Sequence, residues 1–339
     1  MNSGEKILHE SPHGKLCQLD WKTYKGMPAI NPSSLAAGLR GHNDVDVRAI
    51  HAAMTGERKE PAQASQDRMD RGSLLHMALL QPERLATDVA VWRGWEIDPE
   101  TISAIESLYV TRKFGQKRIA EHLRLDESTV AAVLSGSTSS TARSGFRWDK
   151  FEKDNDGKLI IRGADYDWTM AIYNELKNHP MCGGKLSGCA AELAMILEDC
   201  GEQCRGQVDA VHFEKRMIID VKTTECVISQ DSCERQVRTM HYREKMALYR
   251  RWIAKITQTN PDSWRCYNLF IGMDETNPAI ALVLLTEDGL EWGEAAMVNA
   301  LQAYSVAKKS GKFPIFAMDY FVKLRPWECG EDEEVEIEF

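Results

Sequence analysis

The segment that most constrains the fold is CRGQVDAVHFEKRMIIDVKTT, which spans residues 204–224. Two apolar runs flank a polar turn, and this pattern predicts two antiparallel strands joined as a hairpin. With the turn centred between Glu214 and Lys215, Asp209 lies directly opposite Asp220. Residues paired in this way share a face of the sheet, with Cβ atoms about 5 Å apart. The hairpin therefore predicts two neighbouring carboxylates on one face of an apolar strand pair.

A lysine completes this charged group. Lys222 is two residues beyond Asp220 and therefore points to the same face of the strand. Charged groups on a buried strand are costly to desolvate, and a hard divalent cation ligated by carboxylate oxygens offsets that cost. Lys222 can orient a metal-activated water or stabilise a phosphoryl transition state. Geometry alone leaves an ordinary salt bridge between Lys222 and one aspartate as the alternative.

The order of predicted elements favours an α/β fold with a mixed central sheet flanked by helices. Residues 1–32 are predicted to be irregular, because three prolines interrupt them. Apolar periodicity predicts helices over 67–80, 165–178, 242–256 and 287–308, and strands over 88–95, 190–197, 205–212, 217–222, 264–273 and 279–285.

A separate all-α insertion is predicted over residues 96–145, which end in a Ser/Thr-rich linker. Within it, residues 108–134 resemble a helix-turn-helix, although Arg124 replaces the usual turn glycine. The second helix carries no Arg or Lys, which argues against sequence-specific reading of bases. We expect contacts to DNA phosphates from four basic residues instead: Arg112, Lys113, Lys117 and Arg118. A packing or oligomerisation module is the alternative.

Composition leaves a nucleic-acid partner open. The net charge is −9, but six negative charges lie in the last nine residues, and a local basic channel is compatible with a negative total. Residues 326–339 are predicted to be an acidic, disordered tail. The sequence has no long apolar run, no signal peptide and no cysteine spacing typical of a metal site. We therefore expect a cytoplasmic protein with reduced thiols and no membrane partner.

The hairpin residues also carry a family resemblance. Asp209, followed after ten residues by Asp220-Val221-Lys222, is similar to the core of the PD-(D/E)xK nuclease superfamily. More narrowly, the chain resembles the RecE-type exonucleases (exodeoxyribonuclease VIII). The resemblance implies that Asp209, Asp220 and Val221 belong to a metal site and that Lys222 acts on the attacking water.

Two further motifs support this resemblance. The helix GSLLHMALLQPE resembles the family's Gly-x-x-x-His helix, and His76 matches its histidine. Glu192, in AAELAMILED, matches the upstream glutamate of the metal site. The resemblance implies that Glu192 assists in metal binding and that His76 contacts the metal site or a 5′ phosphate. An ordinary structural histidine and a surface acid are the alternatives.

A third motif lies on the helix after the hairpin. Tyr242-x-x-Lys245-x-x-x-Tyr249 is similar to the family's motif, which usually has Gln in place of Lys245. The resemblance implies that these three residues contact DNA. Because the two tyrosines are seven residues apart on one helix face, core packing is the alternative.

The resemblance has wider implications. It predicts a nuclease domain formed by residues 33–95 and 146–325, with Mg²⁺ as cofactor and Mn²⁺ as a substitute. It implies 5′-to-3′ degradation of one strand of linear duplex DNA, which leaves 3′ single-stranded tails for phage-type recombination. A ring-shaped homo-oligomer and a strand-annealing recombinase partner are implied as well.

Two other functions are open at this point. An endonuclease or single-strand nuclease could use the same core. A non-catalytic DNA-binding regulator could use the helix-turn-helix-like block, although the complete Asp/Asp/Lys set argues for an enzyme.

Overall fold

The computed structural model describes residues 5–317, except for positions 20, 42–43, 57–62, 142, 144–145 and 275–277. The predicted acidic tail at 326–339 lies outside the described residues. Eight cysteines lie within them, and all eight are free thiols. None of the helices described is long and apolar enough to cross a lipid bilayer.

The described residues form eleven strands. They are β1 (Lys6–Ser11), β2 (Gly14–Gln18), β3 (Val89–Trp92), β4 (Trp95–Glu96), β5 (Ser139–Ser140), β6 (Leu159–Arg162), β7 (Ala190–Asp199), β8 (Glu202–His212), β9 (Met217–Thr224), β10 (Arg265–Gly272) and β11 (Ala279–Leu284).

The described α-helices surround these strands. They are α1 (Trp21–Gly26), α2 (Pro32–Ala36), α3 (Val47–Thr55), α4 (Gln63–Leu80), α5 (Leu85–Asp88), α6 (Pro99–Val110), α7 (Gln116–Leu123), α8 (Glu127–Leu134), α9 (Phe146–Asp154), α10 (Gly163–Leu176), α11 (Gly183–Leu186), α12 (Gln230–Thr239), α13 (Tyr242–Thr257) and α14 (Glu287–Ser310).

The main sheet has the strand order β1-β2-β7-β8-β9-β10-β11. Neighbouring strands are antiparallel except β9 and β10, which run parallel because α12 and α13 connect them. The predicted α/β fold with a mixed central sheet is confirmed.

Helices cover both faces of this sheet. Trp252 of α13 packs with Ile218 and Phe270 on one face, and α14 closes the same cluster. Leu75 of α4 packs with Ile219 on the opposite face, beside α10. Consecutive residues of β9 therefore point into two different apolar layers, which explains why this strand is apolar at nearly every position.

The interpretation of residues 1–32 as irregular is wrong. Residues 6–11 and 14–18 form the β1–β2 hairpin, and β2 pairs with β7 at the edge of the main sheet. Pro12 lies in the tight turn between these strands, where a proline favours the turn and breaks no ladder. Leu16 and Cys17 are both fully buried, and pairing with β7 makes the segment a strand.

Residues 95–140 contain an apolar core of their own. Three helices, α6, α7 and α8, bury Ile105, Ile119 and Val130 against one another. The two ends of this segment meet where Trp95 of β4 pairs with Ser140 of β5. The chain therefore leaves and re-enters the rest of the fold at one place.

Candidate active site

The site forms where β7 and β8 both lose the regular alternation of side chains between the two faces of the sheet. Val208 and Val211 of β8 both pack into the same apolar cluster, although they are three positions apart and regular alternation would put them on opposite faces. In β7, Glu192 lies at the matching position and adopts a left-handed backbone conformation, with φ of 51°. The register on either side, Ala191 with Ala210 and Leu193 with Val208, places Glu192 opposite Asp209.

The predicted hairpin register is confirmed next to this irregularity. Ala210 pairs with Ile219 and His212 with Met217, and the same register brings Asp209 opposite Asp220. The main-chain ladder stops before that last pair. Instead, the carboxylate of Asp209 accepts a hydrogen bond from the Val221 amide at 2.6 Å.

On the N-terminal side of Asp209, β8 no longer pairs with β9 and instead exchanges main-chain hydrogen bonds with Ile30. The Ile30 amide donates to the Gln203 carbonyl at 2.9 Å, and the Arg205 amide donates to the Ile30 carbonyl at 2.8 Å. The resulting fork opens a cleft of about 1130 Å³. Glu192, Asp209, Asp220 and Lys222 all line it.

Helix α4 supplies the histidine. His76 Nδ1 lies 2.9 Å from Glu192 Oε1, and its Nε2 lies 3.1 Å from Asp209 Oδ2. Gln207 Nε2 donates to the other oxygen of Glu192 at 2.7 Å. The imidazole therefore bridges carboxylates that belong to two neighbouring strands.

The second aspartate has a different partner. Lys222 Nζ lies 2.6 Å from Asp220 Oδ2, and the Lys222 ammonium also stands 5.0 Å from the ring centre of Tyr242. The ion pair is partly open to the cleft, since the exposed fraction is 24% for the lysine side chain and 10% for the aspartate. Asp220 and Lys222 share a face of β9, as the sequence predicts.

These contacts set the protonation states. Burial alone would lower the pKa of His76, but the carboxylates of Asp209 and Glu192 outweigh it and raise the pKa to about 10. Burial opposes the charge of Asp209 as well, yet His76 and Lys222 hold the pKa of that carboxyl below its usual value. Burial raises the pKa of Asp220, against the attraction of Lys222 and with the repulsion of Asp209. A protonated His76 thus neutralises part of a strongly acidic cluster.

The donor set fits a divalent cation. Ligand atoms of His76, Glu192 and Asp209 lie within 4.8 Å of one another, and among the described residues this is the one such group of His, Cys, Asp and Glu. Two carboxylates are ordinary ligands for Mg²⁺ or Mn²⁺, whereas an imidazole is a more usual ligand for softer divalent metals and ligates only after it loses its proton. Asp220 is outside this group because its carboxylate turns toward Lys222. Val221 reaches the cluster through its main-chain amide.

The three predicted DNA-contact residues of α13 lie at different depths. Tyr242 is half-buried at the cleft, and the Lys245 ammonium stands 5.4 Å from the centre of its ring. Tyr249 is buried in the apolar core and reaches the cleft only at its floor. Core packing therefore accounts for most of the surface of Tyr249.

The residues of the insertion that are predicted to contact phosphates do not line the cleft. The four basic residues, Arg112, Lys113, Lys117 and Arg118, are exposed on α7 and the loop before it. Thr129, in the first turn of α8, is fully buried, and its hydroxyl is 2.8 Å from that of Ser140. Such a residue is not available to a DNA base.

Sequence reasoning missed several residues that shape the site. Gln207 lies two positions before Asp209, and strand alternation could have indicated it. Arg205 and Tyr24 also line the cleft, where the guanidinium stacks on the ring and donates to the Tyr24 carbonyl. No local pattern links these two residues, because they are far apart in the chain.

Gly72 brings α4 close enough for His76 to reach the carboxylates. A Cβ added at Gly72 would lie 2.7 Å from Thr223 Oγ1, and Thr223 follows Lys222 in β9. We expect Gly72→Ala to move α4 away from β9 and to lower kcat about threefold to tenfold for the DNA cleavage that the sequence resemblance implies. The measurement is steady-state cleavage beside Gly115→Ala, where an added Cβ meets no atom within 4 Å. Equal rates for Gly72→Ala and the wild type would contradict the expectation.

The chain matches the model of a known protein family. Residues 47–320 match the family model of the PDDEXK-like domain of unknown function (DUF3799). Among curated proteins, the comparison gives no significant match.

Two solved structures are similar to this chain. One is a protein named as a candidate exonuclease from Eubacterium rectale, at 14% identity and a TM-score of 0.47, with 87% of this chain and 88% of that chain covered. Another is a phage-related exonuclease from Haemophilus somnus 129PT, at 10% identity and a TM-score of 0.28, with 65% and 97% covered. At these identities and scores, the likeness bears on neither activity nor substrate. The family match spans most of the chain and agrees with the mixed sheet and the acidic cleft, and the chain belongs to the family of PDDEXK-like domains (DUF3799).

Proposed function

We propose that this chain is a metal-dependent deoxyribonuclease that hydrolyses phosphodiester bonds. One observation carries the proposal: Glu192, Asp209 and Asp220 occupy matched positions on three adjacent strands, with Lys222 beside them in an open cleft. Three acids in one cleft are costly to keep charged without a cation. Membership of the PDDEXK-like family supports the same chemistry.

Each site residue has a role in this proposal. Glu192 and Asp209 hold a divalent cation, and His76 joins them after the cation displaces its proton, with Asp220 and the neighbouring Val221 at the edge of the site. When bound, the cation supplies Lewis-acid activation of water and neutralises charge on the scissile phosphate. Lys222 orients the attacking water or stabilises the negative charge that develops on the phosphate. Tyr242 and Lys245, with Tyr249 beneath them, contact the DNA backbone.

The finer assignment is an exonuclease that degrades one strand of linear duplex DNA from 5′ to 3′. The resemblance of its His76 helix and its Asp220-Val221-Lys222 strand to the RecE-type enzymes supports it. The same resemblance supports Mg²⁺ as cofactor, a ring-shaped homo-oligomer, a strand-annealing recombinase partner, a phage-type recombination setting and a cytoplasmic location. An endonuclease or single-strand nuclease on the same core is the second candidate.

Substrate shape separates these candidates. We expect linear duplex DNA to be degraded in Mg²⁺, while covalently closed circles of the same sequence stay intact, because an exonuclease needs an end. Agarose electrophoresis of both substrates, with 5′-labelled and 3′-labelled linear DNA to assign polarity, is the measurement. Conversion of closed circles to linear or nicked forms would establish the endonuclease instead.

We propose that residues 96–145 form a DNA-holding module inserted into the nuclease domain of 33–95 and 146–325. Because β4 and β5 pair, Ile97 and Thr138 lie side by side, and the Ile97 amide donates to the Thr138 carbonyl at 2.8 Å. Replacing 98–137 with a short glycine linker should therefore leave the remaining fold intact.

We expect this deletion to weaken DNA binding while kcat at saturating DNA stays within about twofold of the wild type. The lost affinity should depend on salt and not on sequence, because exposed Arg and Lys side chains contact phosphates. Fluorescence anisotropy at several salt concentrations and single-turnover cleavage provide the two readouts. A folded deletion variant without cleavage, or a sequence preference lost with the block, would contradict the module's assigned role.

A further inference from the structure

Asn268 lies beside the site on the next strand. In the parallel β9–β10 ladder it pairs with Asp220. Cys266 and Phe270, two positions before and after it, pack into the same apolar cluster as Ile218 of β9. Strand alternation therefore points the Asn268 side chain to the same face of the sheet as Asp220.

The amide of Asn268 is buried without a partner. Its exposed fraction is 0%, and within the part of the chain that the structure describes neither its Nδ2 nor its Oδ1 has a hydrogen bond. A buried polar group without a hydrogen bond lowers stability, because it has lost its hydrogen bonds to water and gained none in return. A leucine of similar size would fill the same space without that cost, so folding alone gives no reason for an asparagine here.

The surroundings of Asn268 limit its possible partners on the sheet. Along β10 its neighbours on this face are Cys266 and Phe270, and across the sheet they are Asp220 and Val283. Cys266 directs its thiol to the Met246 carbonyl of α13. Of the four, Asp220 carries the one carboxylate, and an Asn Nδ2 group is a hydrogen-bond donor to carboxylates.

The current partner of Asp220 is needed elsewhere in the proposed reaction. Lys222 Nζ lies 2.6 Å from Asp220 Oδ2, and the same ammonium is the group assigned to the water or the scissile phosphate. Once Lys222 turns to the substrate, Asp220 loses a donor while it remains buried. A buried carboxylate without a hydrogen bond is strongly disfavoured.

We propose that Asn268 is a positioning residue that donates a hydrogen bond from Nδ2 to the Asp220 carboxylate when Lys222 engages the substrate. The amide of Asn268 then replaces Lys222 as the hydrogen-bond donor to Asp220 and keeps the carboxylate in one orientation beside the metal site. This inference rests on the proposed nuclease function, and it adds to the site a residue of β10, which none of the sequence motifs contains.

The test replaces the amide without changing its volume much. Asn268→Leu removes both polar atoms, and Asn268→Ala is the second variant in case leucine prevents folding. Cys266→Ala, on the same strand and face, is the matched control. Thermal unfolding without metal, Mn²⁺ binding by calorimetry, and kcat and KM for linear DNA are measured for each.

The expected pattern separates positioning from packing. Asn268→Leu should unfold at the same temperature as the wild type or higher, while Mn²⁺ affinity or kcat falls about 10- to 100-fold and KM changes little. Cys266→Ala should show the reverse, with a lower unfolding temperature and unchanged kcat. Partial recovery by Asn268→Ser, which returns a donor absent from Asn268→Ala, would support the donor role.

Two results would overturn the inference. One is a folded Asn268→Leu or Asn268→Ala variant with wild-type Mn²⁺ affinity and kcat. The other is a loss of activity that only parallels a loss of stability, as expected for a packing residue. If the wild type cleaves no DNA, the proposed function fails, and the Mn²⁺ affinities of the same variants still decide the role of Asn268.

Discussion

Replacing Lys222 by alanine is expected to reduce Mg²⁺-dependent DNA cleavage about 100- to 1000-fold, since one preorganised charged group commonly contributes this much to a transition state. Lys222 is the cation nearest to Asp220, and its side chain is partly open to the cleft. Its pKa is raised by Asp220 and Asp209 although burial opposes this, so the ammonium stays charged at neutral pH. The loss should appear in kcat, because the interaction strengthens as charge develops on the phosphate.

Single-turnover cleavage of linear DNA in Mg²⁺ measures this effect. DNA affinity, measured by anisotropy with Ca²⁺ in place of Mg²⁺, should change little, which distinguishes a chemical role from a binding role. Asp220→Ala should match Lys222→Ala in lost cleavage. Lys177→Ala is the control, because Lys177 is exposed at the end of α10 and bonded to Asn174, outside the cleft lining. Wild-type rates for Lys222→Ala would contradict the assigned role.

The part of the site that sequence could predict is the part set by one short hairpin. A polar turn between two apolar runs fixes the register, which puts Asp209 opposite Asp220 and places Asp220 and Lys222 on one face of β9. Strand geometry is regular in β9, so counting residues is sufficient for Asp220 and Lys222. The same counting fails at Glu192, because its left-handed backbone and the shift in β8 are consequences of packing between strands.

The first 32 residues show a different limit of sequence reasoning. Their prolines suggest irregular structure, yet Pro12 lies in a two-residue turn that joins β1 to β2. A strand at the edge of a sheet tolerates such residues at its ends. What makes residues 14–18 a strand is their pairing with β7, which lies far along the chain, and no local pattern carries that information.

Long-range contacts also explain why sequence reasoning missed Asn268. In the sequence it is one polar residue within an apolar run, and the ordinary interpretation is a gap in a core strand. Only the parallel ladder with β9, created by the crossover through α12 and α13, brings it next to Asp220.

A stability prediction concerns the far end of β7. Asp199 has 3% of its surface exposed, and both of its carboxylate oxygens are occupied. Oδ2 accepts from Trp252 Nε1 at 2.9 Å and from Arg251 Nε at 3.0 Å. Oδ1 accepts from Arg251 Nη2 at 3.2 Å and lies 3.5 Å from Lys255 Nζ. The carboxylate thus joins the β7–β8 turn to α13, which covers the site face of the sheet.

Asp199→Asn is expected to lower the free energy of unfolding by about 2 kcal/mol, because a buried carboxylate that accepts hydrogen bonds from Arg251 and Trp252 is replaced by a neutral amide. Whichever way the new amide turns, its NH₂ group faces Arg251 and so opposes a donor with a donor. Urea unfolding at pH 7 gives the change. Asp167→Asn is the control and should leave the unfolding midpoint unchanged, since Asp167 and Arg93 form an exposed pair.

The difference in the free energy of unfolding between Asp199→Asn and the wild type should become smaller as the pH falls. Burial alone would raise the pKa of Asp199, but the hydrogen bonds of Arg251 and Trp252 outweigh it and hold the pKa below its usual value. The contribution of the carboxylate is therefore fully present above the unfolded-state pKa of about 3.9 and is lost as the pH falls through the lower folded-state pKa. The two unfolding curves should differ at pH 7 and converge in strong acid. A difference that persists unchanged into strong acid would show that the substitution perturbs packing, because protonation of Asp199 removes the charge in the wild type as well.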